Sequence, residues 1–178
     1  NLLLKEKFKV ILTKIACEGI PKEFLGKIIN KKVFFELEKL AGNYKFETKE
    51  KLKVRIAEIV LNGQKTLLAC PLTYMNESGI TVAKIKSFYK LKNNQLYIAH
   101  DDSDIAFGAY KISFNRGAAG HKGIESIIKH LKTKEFWRVR IGIRPKNAKP
   151  GKIKAEQFVL RKFSYQELKE LNRVFEEI

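Results

Sequence analysis

Ala109-Tyr-Lys-Ile-Ser-Phe114, Asn115-Arg-Gly-Ala-Ala-Gly-His-Lys-Gly123, Ile124-Glu-Ser-Ile-Ile-Lys-His-Leu131 and Arg138-Val-Arg-Ile-Gly-Ile143 follow one another in close succession. The first and last read as strands. The third places Ile124, Ile127, Ile128 and Leu131 at i, i+3, i+4 and i+7, one apolar stripe of a helix. Strand, glycine-bearing loop, helix and strand in that order predict an α/β fold.

The pattern continues in both directions. Val54–Leu61 alternates as VRIAEIVL and resumes at Thr66–Cys70, with Asn62-Gly63 at the tip of a hairpin. Leu96–Ala99 is a short, fully apolar strand, and Lys9–Leu12 or Ile11–Ala16 supplies another. Helices are expected over Val33–Ala41, with Val33, Leu37 and Leu40 on one face, and over Thr81–Tyr89, with Val82, Ile85 and Tyr89 together. Ser164-Tyr-Gln-Glu167 is a capping box that opens a last helix carrying Leu168, Leu171, Phe175 and Ile178 on one side. The expected architecture is a single-domain three-layer α/β sandwich: a mixed, mostly parallel twisted sheet with helices on both faces. Arg144–Gly151 reads as a surface loop or flap.

The 178 residues suit one domain, and a monomer is expected. No stretch approaches the roughly 20 apolar residues of a membrane span, and the start lacks a signal-peptide cleavage site. These features point to the cytoplasm. Both ends read as incomplete: the chain starts on Asn1, and the last helix runs out without a cap. Cys17 and Cys70 form no C-x-x-C pair and read as reduced, packed thiols, and the three histidines show no metal spacing. No metal site is expected. A formal net charge of +17 costs stability by self-repulsion and favours a polyanionic partner. A lysine-rich proteome would also produce such a charge, and charge alone does not say which nucleic acid is bound.

Three polar clusters follow strands, where ligands bind in α/β sheets. Pro71-Leu-Thr-Tyr-Met-Asn76-Glu-Ser-Gly79 puts Tyr74, Met75 and Asn76 in a turn facing a cleft. The plainer reading, favoured by spacing alone, is that Asn76 or Ser78 caps the next helix. His100-Asp-Asp-Ser-Asp104 follows a strand, where carboxylates can bind a metal, orient a histidine or act as bases; the plainer reading is an acidic loop satisfying backbone amides, and so acidic a cluster in so basic a chain favours function. Asn115–Gly123 brings small residues, Arg116, His121 and Lys122 to a helix N-terminus suited to phosphate, and it is equally the composition of a flexible loop. His130, among lysines, reads as surface.

In order and together, these segments resemble bacterial peptidyl-tRNA hydrolases. CPLTYMNESG is similar to the family's K-P-x-T-[YF]-M-N-x-S-G, and HDDSDIAFG to H-D-D-L-D-L-P-x-G. RGAAGHKGIESI is similar to G-G-x-G-G-H-N-G-L-K-S-I, and WRVRIGIRP and FVLRKFSYQEL match two further motifs. The likeness runs from about Val33 to the chain end. It implies cleavage, without metal or cofactor, of the ester joining a peptide to the 3′ ribose of tRNA, which recycles tRNA in translation. It implies that Asp101 is the aspartate that partners a catalytic histidine. Tyr74, Met75 and Asn76 would line the substrate site. His121, Lys122 and the loop before them would flank it. Lys111 and Arg140 would meet tRNA phosphates.

The chain departs from the family before Val33. The family's opening G-L-G-N-P-G-x-x-Y-x-x-T-R-H-N-x-G-F carries the catalytic histidine. Counted back without gaps from Phe35-Glu-Leu-Glu-Lys-Leu-Ala41, Gly19 and Pro21 fall on a motif Gly and Pro, Asn30 takes the histidine's position and Ile20 the first Asn's. No histidine precedes His100, and Lys122 replaces the Asn after the later motif histidine. Asparagine accepts no proton at neutral pH, so Asn30 cannot act as the base. Two explanations follow: an RNA-binding paralogue without its base, or a frame error upstream of the Phe34 codon. The abruptness of the change favours the second, because drift would touch every motif.

Overall fold

The alternation VRIAEIVL pairs with the run that follows it. In the computed structural model β3 (Val54–Leu61) lies antiparallel to β4 (Gln64–Pro71), in register from Val54 opposite Pro71 to Leu61 opposite Gln64. The structure describes residues 9–12, 46–61, 64–146, 148 and 163–177. The hairpin tip, the helix expected over Val33–Ala41, Cys17 and Asn30 lie outside them. A third strand, β2 (Glu47–Lys49), flanks β3 antiparallel. Its three residues are all exposed and carry no apolar alternation, so no sequence pattern marks it.

A second sheet has the order β1-β5-β7-β6. Strand β1 is Lys9–Leu12, the first of the two segments expected, and it runs parallel to β5 (Leu96–Ala106) from Lys9 opposite Leu96 to Leu12 opposite Ala99. Strands β6 (Tyr110–Phe114) and β7 (Trp137–Arg144) run antiparallel: Gly142 N–H donates to Ala109 O (2.8 Å) and Asn115 N–H to Phe136 O (3.4 Å), so one strand ascends as the other descends. The fold is α/β with mixed sheets.

Helices α1 (Ser78–Phe88) and α2 (Lys122–Leu131) bring the expected stripes inward. Val82, Ile85, Ile124 and Ile127 are fully buried with Val54, Ile56, Leu96, Ile98 and Phe136, and Tyr89, Ile128 and Leu131 pack around them. Each such side chain contributes roughly 1.5–3 kcal/mol on burial. Packing must hold α1 in shape, because its Gly79, Thr81, Val82 and Ile85 are indifferent helix formers. The two helices approach at Gly79, where a Cβ would lie 2.1 Å from Ser126 O, and Gly79 N–H donates to Ser126 Oγ (3.1 Å).

By contacts the chain divides into two compact units. One takes in β1 to β4, α1, α2, β5 up to His100, and Ile112–Val139; the core just described belongs to it. The other takes in Asp101–Lys111 and the chain from Arg140 onward. In the second unit Phe107 and Phe163 rings pack 5.5 Å apart, and Phe163 covers Ile143 and Ala148. Its helix α3 (Tyr165–Glu177) opens on the capping box. Glu167 N–H donates to Ser164 Oγ (3.3 Å), and Ser164 N–H donates to Glu167 Oε2 (2.8 Å). Ser164→Ala removes the first of these bonds and should cost about 1 kcal/mol. Urea unfolding of the variant against the parent measures it.

Candidate functional site

Strand β4 stops at Pro71, and the chain turns through a single 3₁₀ turn, Met75–Glu77, straight into α1. Neither Asn76 nor Ser78 caps that helix. Glu77 is the N-cap and makes no side-chain cap bond, while Ser78 Oγ donates back to Tyr74 O (3.5 Å) and braces the turn. The reading that made these residues ordinary caps is therefore corrected: the 3₁₀ turn runs on into the helix, so no gap is left for a side chain to fill. Tyr74 is half exposed and Asn76 exposed, as residues that meet a ligand must be.

The acidic cluster sits differently from the expectation. His100, Asp101, Asp102, Ser103 and Asp104 lie inside β5, not in a loop beyond it. The apolar run ends at Ala99, but the strand persists to Ala106. Arg140 Nε on β7 donates to Asp102 Oδ2 (2.7 Å), with both side chains largely buried. His100 and Asp101 are buried as well. Arg140, expected to meet phosphate, thus spends its Nε on a carboxylate. In the same unit Lys111 is exposed on β6.

The third cluster is the most closely built. The chain leaves β6 through Asn115 (φ 55°), Ala119 (φ 49°) and Gly120 (φ 80°), all left-handed. Ala119 occupies a glycine position of the family motif, where a side chain costs about 1 kcal/mol. Arg138, buried on β7, donates from Nη1 to Gly117 O (2.9 Å) and holds the loop. His121 is the N-cap of α2: its Nδ1 accepts from Gly123 N–H (3.1 Å) and Ile124 N–H (3.3 Å). Its ring meets His100 edge to face at 4.7 Å between centroids. A Cβ on Gly123 would lie 2.4 Å from Met75 Sδ and 3.0 Å from His121 Cε1, so this glycine lets the 3₁₀ turn and the histidine close over the helix end.

The first and third clusters therefore meet within one unit through Met75, Gly123 and His121. Lys122 beside them is exposed and pairs loosely with Glu125 (3.5 Å). Asp101, Lys111 and Arg140 belong to the other unit. His130, expected as plain surface, is exposed with its Nδ1 on Ser126 O (2.8 Å). Sequence reading missed His100 as a ring partner, Arg138 as the loop's anchor and Asp102 as the mate of Arg140. The usable signal was the alternation in Trp137–Arg144, where Arg138 and Arg140 share one face between buried Val139 and Ile141. Among the described residues no helix is long and apolar enough to cross a membrane, and no three His, Cys, Asp or Glu gather to hold a metal ion.

The protein from Mycoplasma mycoides subsp. mycoides named peptidyl-tRNA hydrolase is 39% identical over 143 residues, 80% of this chain and 75% of that one. The one from Frankia casuarinae is 43% identical over 122 residues, 68% of this chain and 60% of its own length. A crystal structure of peptidyl-tRNA hydrolase from Acinetobacter baumannii superposes with a TM-score of 0.76 at 25% identity, covering 96% of this chain and 84% of that one. The sequence model of the family described as peptidyl-tRNA hydrolase matches residues 33–178, the same stretch that carries the turn around Met75, the charged strand and the His121 cap. With every one of those motifs inside the match, this chain belongs to the peptidyl-tRNA hydrolase family.

Proposed function

We propose that this chain, acting as a cytoplasmic monomer of one functional domain, binds peptidyl-tRNA and hydrolyses its ester slowly. The observation that carries the reading is the junction of Met75, Gly123 and His121, which joins two of the family's motifs around the end of one helix. Exposed Tyr74 and Asn76 beside that junction supply an aromatic face, a phenol, and an amide that both donates and accepts. They suit the peptide and ester groups of the substrate. Asp101 is the carboxylate of the reaction, and in this chain it faces the task without a histidine at position 30. Lys111, Lys122 and Arg140 add positive charge for the acceptor stem. No metal or cofactor takes part.

A paralogue that only binds RNA is the second reading, and Asn30 favours it. One experiment separates the two. Peptidyl-tRNA with a labelled peptide is mixed with excess protein in a single turnover, beside deacylated tRNA and free nucleotides in a binding assay. Slow release of peptide above the buffer rate, with tRNA bound and nucleotides not, is the expected result. Binding without any release leaves the paralogue. Binding of nucleotides but not of tRNA defeats both readings.

A further inference from the structure

We infer that His121 is locked as its Nε2–H tautomer, a hydrogen-bond donor that does not stand in for the base missing at Asn30, with Gly123 and His100 as the residues that position its ring. In a chain without a histidine before His100, the histidine at the junction is the obvious substitute base. The geometry opposes this. A neutral imidazole has one acceptor nitrogen, and in His121 that nitrogen is Nδ1, which receives the Gly123 and Ile124 N–H groups at 3.1 and 3.3 Å. The proton therefore sits on Nε2, where it can be donated and not accepted. A base would need the opposite arrangement, with Nδ1 protonated and Nε2 open.

Two neighbours keep the ring in this pose. Gly123 leaves room for it, since a Cβ would press on His121 Cε1 at 3.0 Å and on Met75 Sδ at 2.4 Å. The His100 ring, 2% exposed, backs it edge to face at 4.7 Å and at 72° between planes. Whatever the Nε2–H meets must accept, as a carbonyl, carboxylate or phosphate oxygen does. The functional half of this inference rests on the peptidyl-tRNA reading; the tautomer does not.

The test is ¹⁵N-histidine NMR of the full chain, with signals assigned by His130→Gln and His100→Phe. The expected spectrum of neutral His121 has a pyridine-type Nδ1 and a pyrrole-type Nε2. A pyrrole-type Nδ1, or one averaged pair of signals, overturns the inference whatever the protein binds. Gly123→Ala should bring about such averaging while circular dichroism keeps the parent's fold, and an unchanged His121 spectrum there rejects the seat. His100→Phe should keep the tautomer and His100→Leu should lose it; equal spectra reject the backing role. In single-turnover kinetics His121→Asn keeps a cap acceptor but lacks the Nε2 donor. It should raise the half-saturating concentration about three- to tenfold, the worth of one neutral hydrogen bond, and leave the saturated rate within threefold. A saturated rate falling to the buffer background would make His121 the base and defeat the inference.

Discussion

Ester hydrolysis by this chain is expected to run about 10²–10⁴-fold slower than by a relative with histidine at the position of Asn30, the usual loss when a general base is removed. A water molecule attacks an ester slowly unless its proton is taken as the new bond forms. Asn30 offers an amide oxygen that stays unprotonated at neutral pH and so takes nothing. Ile20, which counting back places at the motif's first asparagine, has no polar group to offer the substrate. Asn30→His with Ile20→Asn should restore measurable turnover, and Asn30→His alone should restore part of it. The measurement is single-turnover release of labelled peptide from peptidyl-tRNA. An unmodified chain that already matches a family member carrying that histidine would show that position 30 is not where the base belongs. Reading the DNA upstream of the Phe34 codon gives an independent check, because another frame encoding N-P-G and T-R-H-N would explain why the family match begins at residue 33.

Affinity for tRNA should fall by about 10³-fold between 50 and 200 mM salt if six phosphates are neutralised, since each contact releases counterions. The formal charge of +17 makes such a count reasonable for a chain of this size. Lys111→Ala should weaken binding to every tRNA alike and lower the salt slope by about one. Lys111→Glu should weaken it further, and Asp101→Asn should leave it unchanged. Arg140→Glu needs more care. It sets a carboxylate beside largely buried Asp102 and removes that group's counter-charge, which costs on the order of 3 kcal/mol of stability. Its binding is therefore read together with its melting temperature, and with the Arg140→Gln, Asp102→Asn pair, which removes both charges. Filter binding across a salt series decides the point: affinity indifferent to salt would mean that the charge does not hold the RNA.

What could be read from the sequence is what repeats locally. The stripe Ile124, Ile127, Ile128 and Leu131, the hairpin with Leu61 opposite Gln64, and the reciprocal bonds of Ser164 and Glu167 each announce themselves within a few residues. Strand β5 was cut short at Ala99 because its second half carries Asp101, Asp102 and Asp104, and the Arg140 on β7 that pairs with Asp102 lies far along the chain. Strand β2 was missed because it has no apolar face to bury. The caps expected of Asn76 and Ser78 failed because the 3₁₀ turn leads into α1 without an extended residue between. The clusters that hold the site residues were found as polar runs after strands, and the roles came from motif resemblance. What no local pattern shows is the contact of His121 with His100, or Arg138 reaching Gly117, since each depends on segments brought together only by the fold.

The bond from Gly79 N–H to Ser126 Oγ has a consequence for solvent exchange. First-turn amides of a helix have no carbonyl behind them and ordinarily trade their protons with water quickly. That of Gly79 is closed by a side chain of another helix, in a contact with no space for a Cβ. Its proton can leave only when α1 and α2 part. In deuterium, Gly79 should therefore exchange with the slow amides at the middle of α2, such as Ile127, and not with its neighbour Ile80. The first turn of α1, into which Tyr74, Met75 and Asn76 lead, is then as durable as this helix pair. Its opening is a sub-global event of the core and not the fraying of a loop, and one amide signal reports how often it occurs.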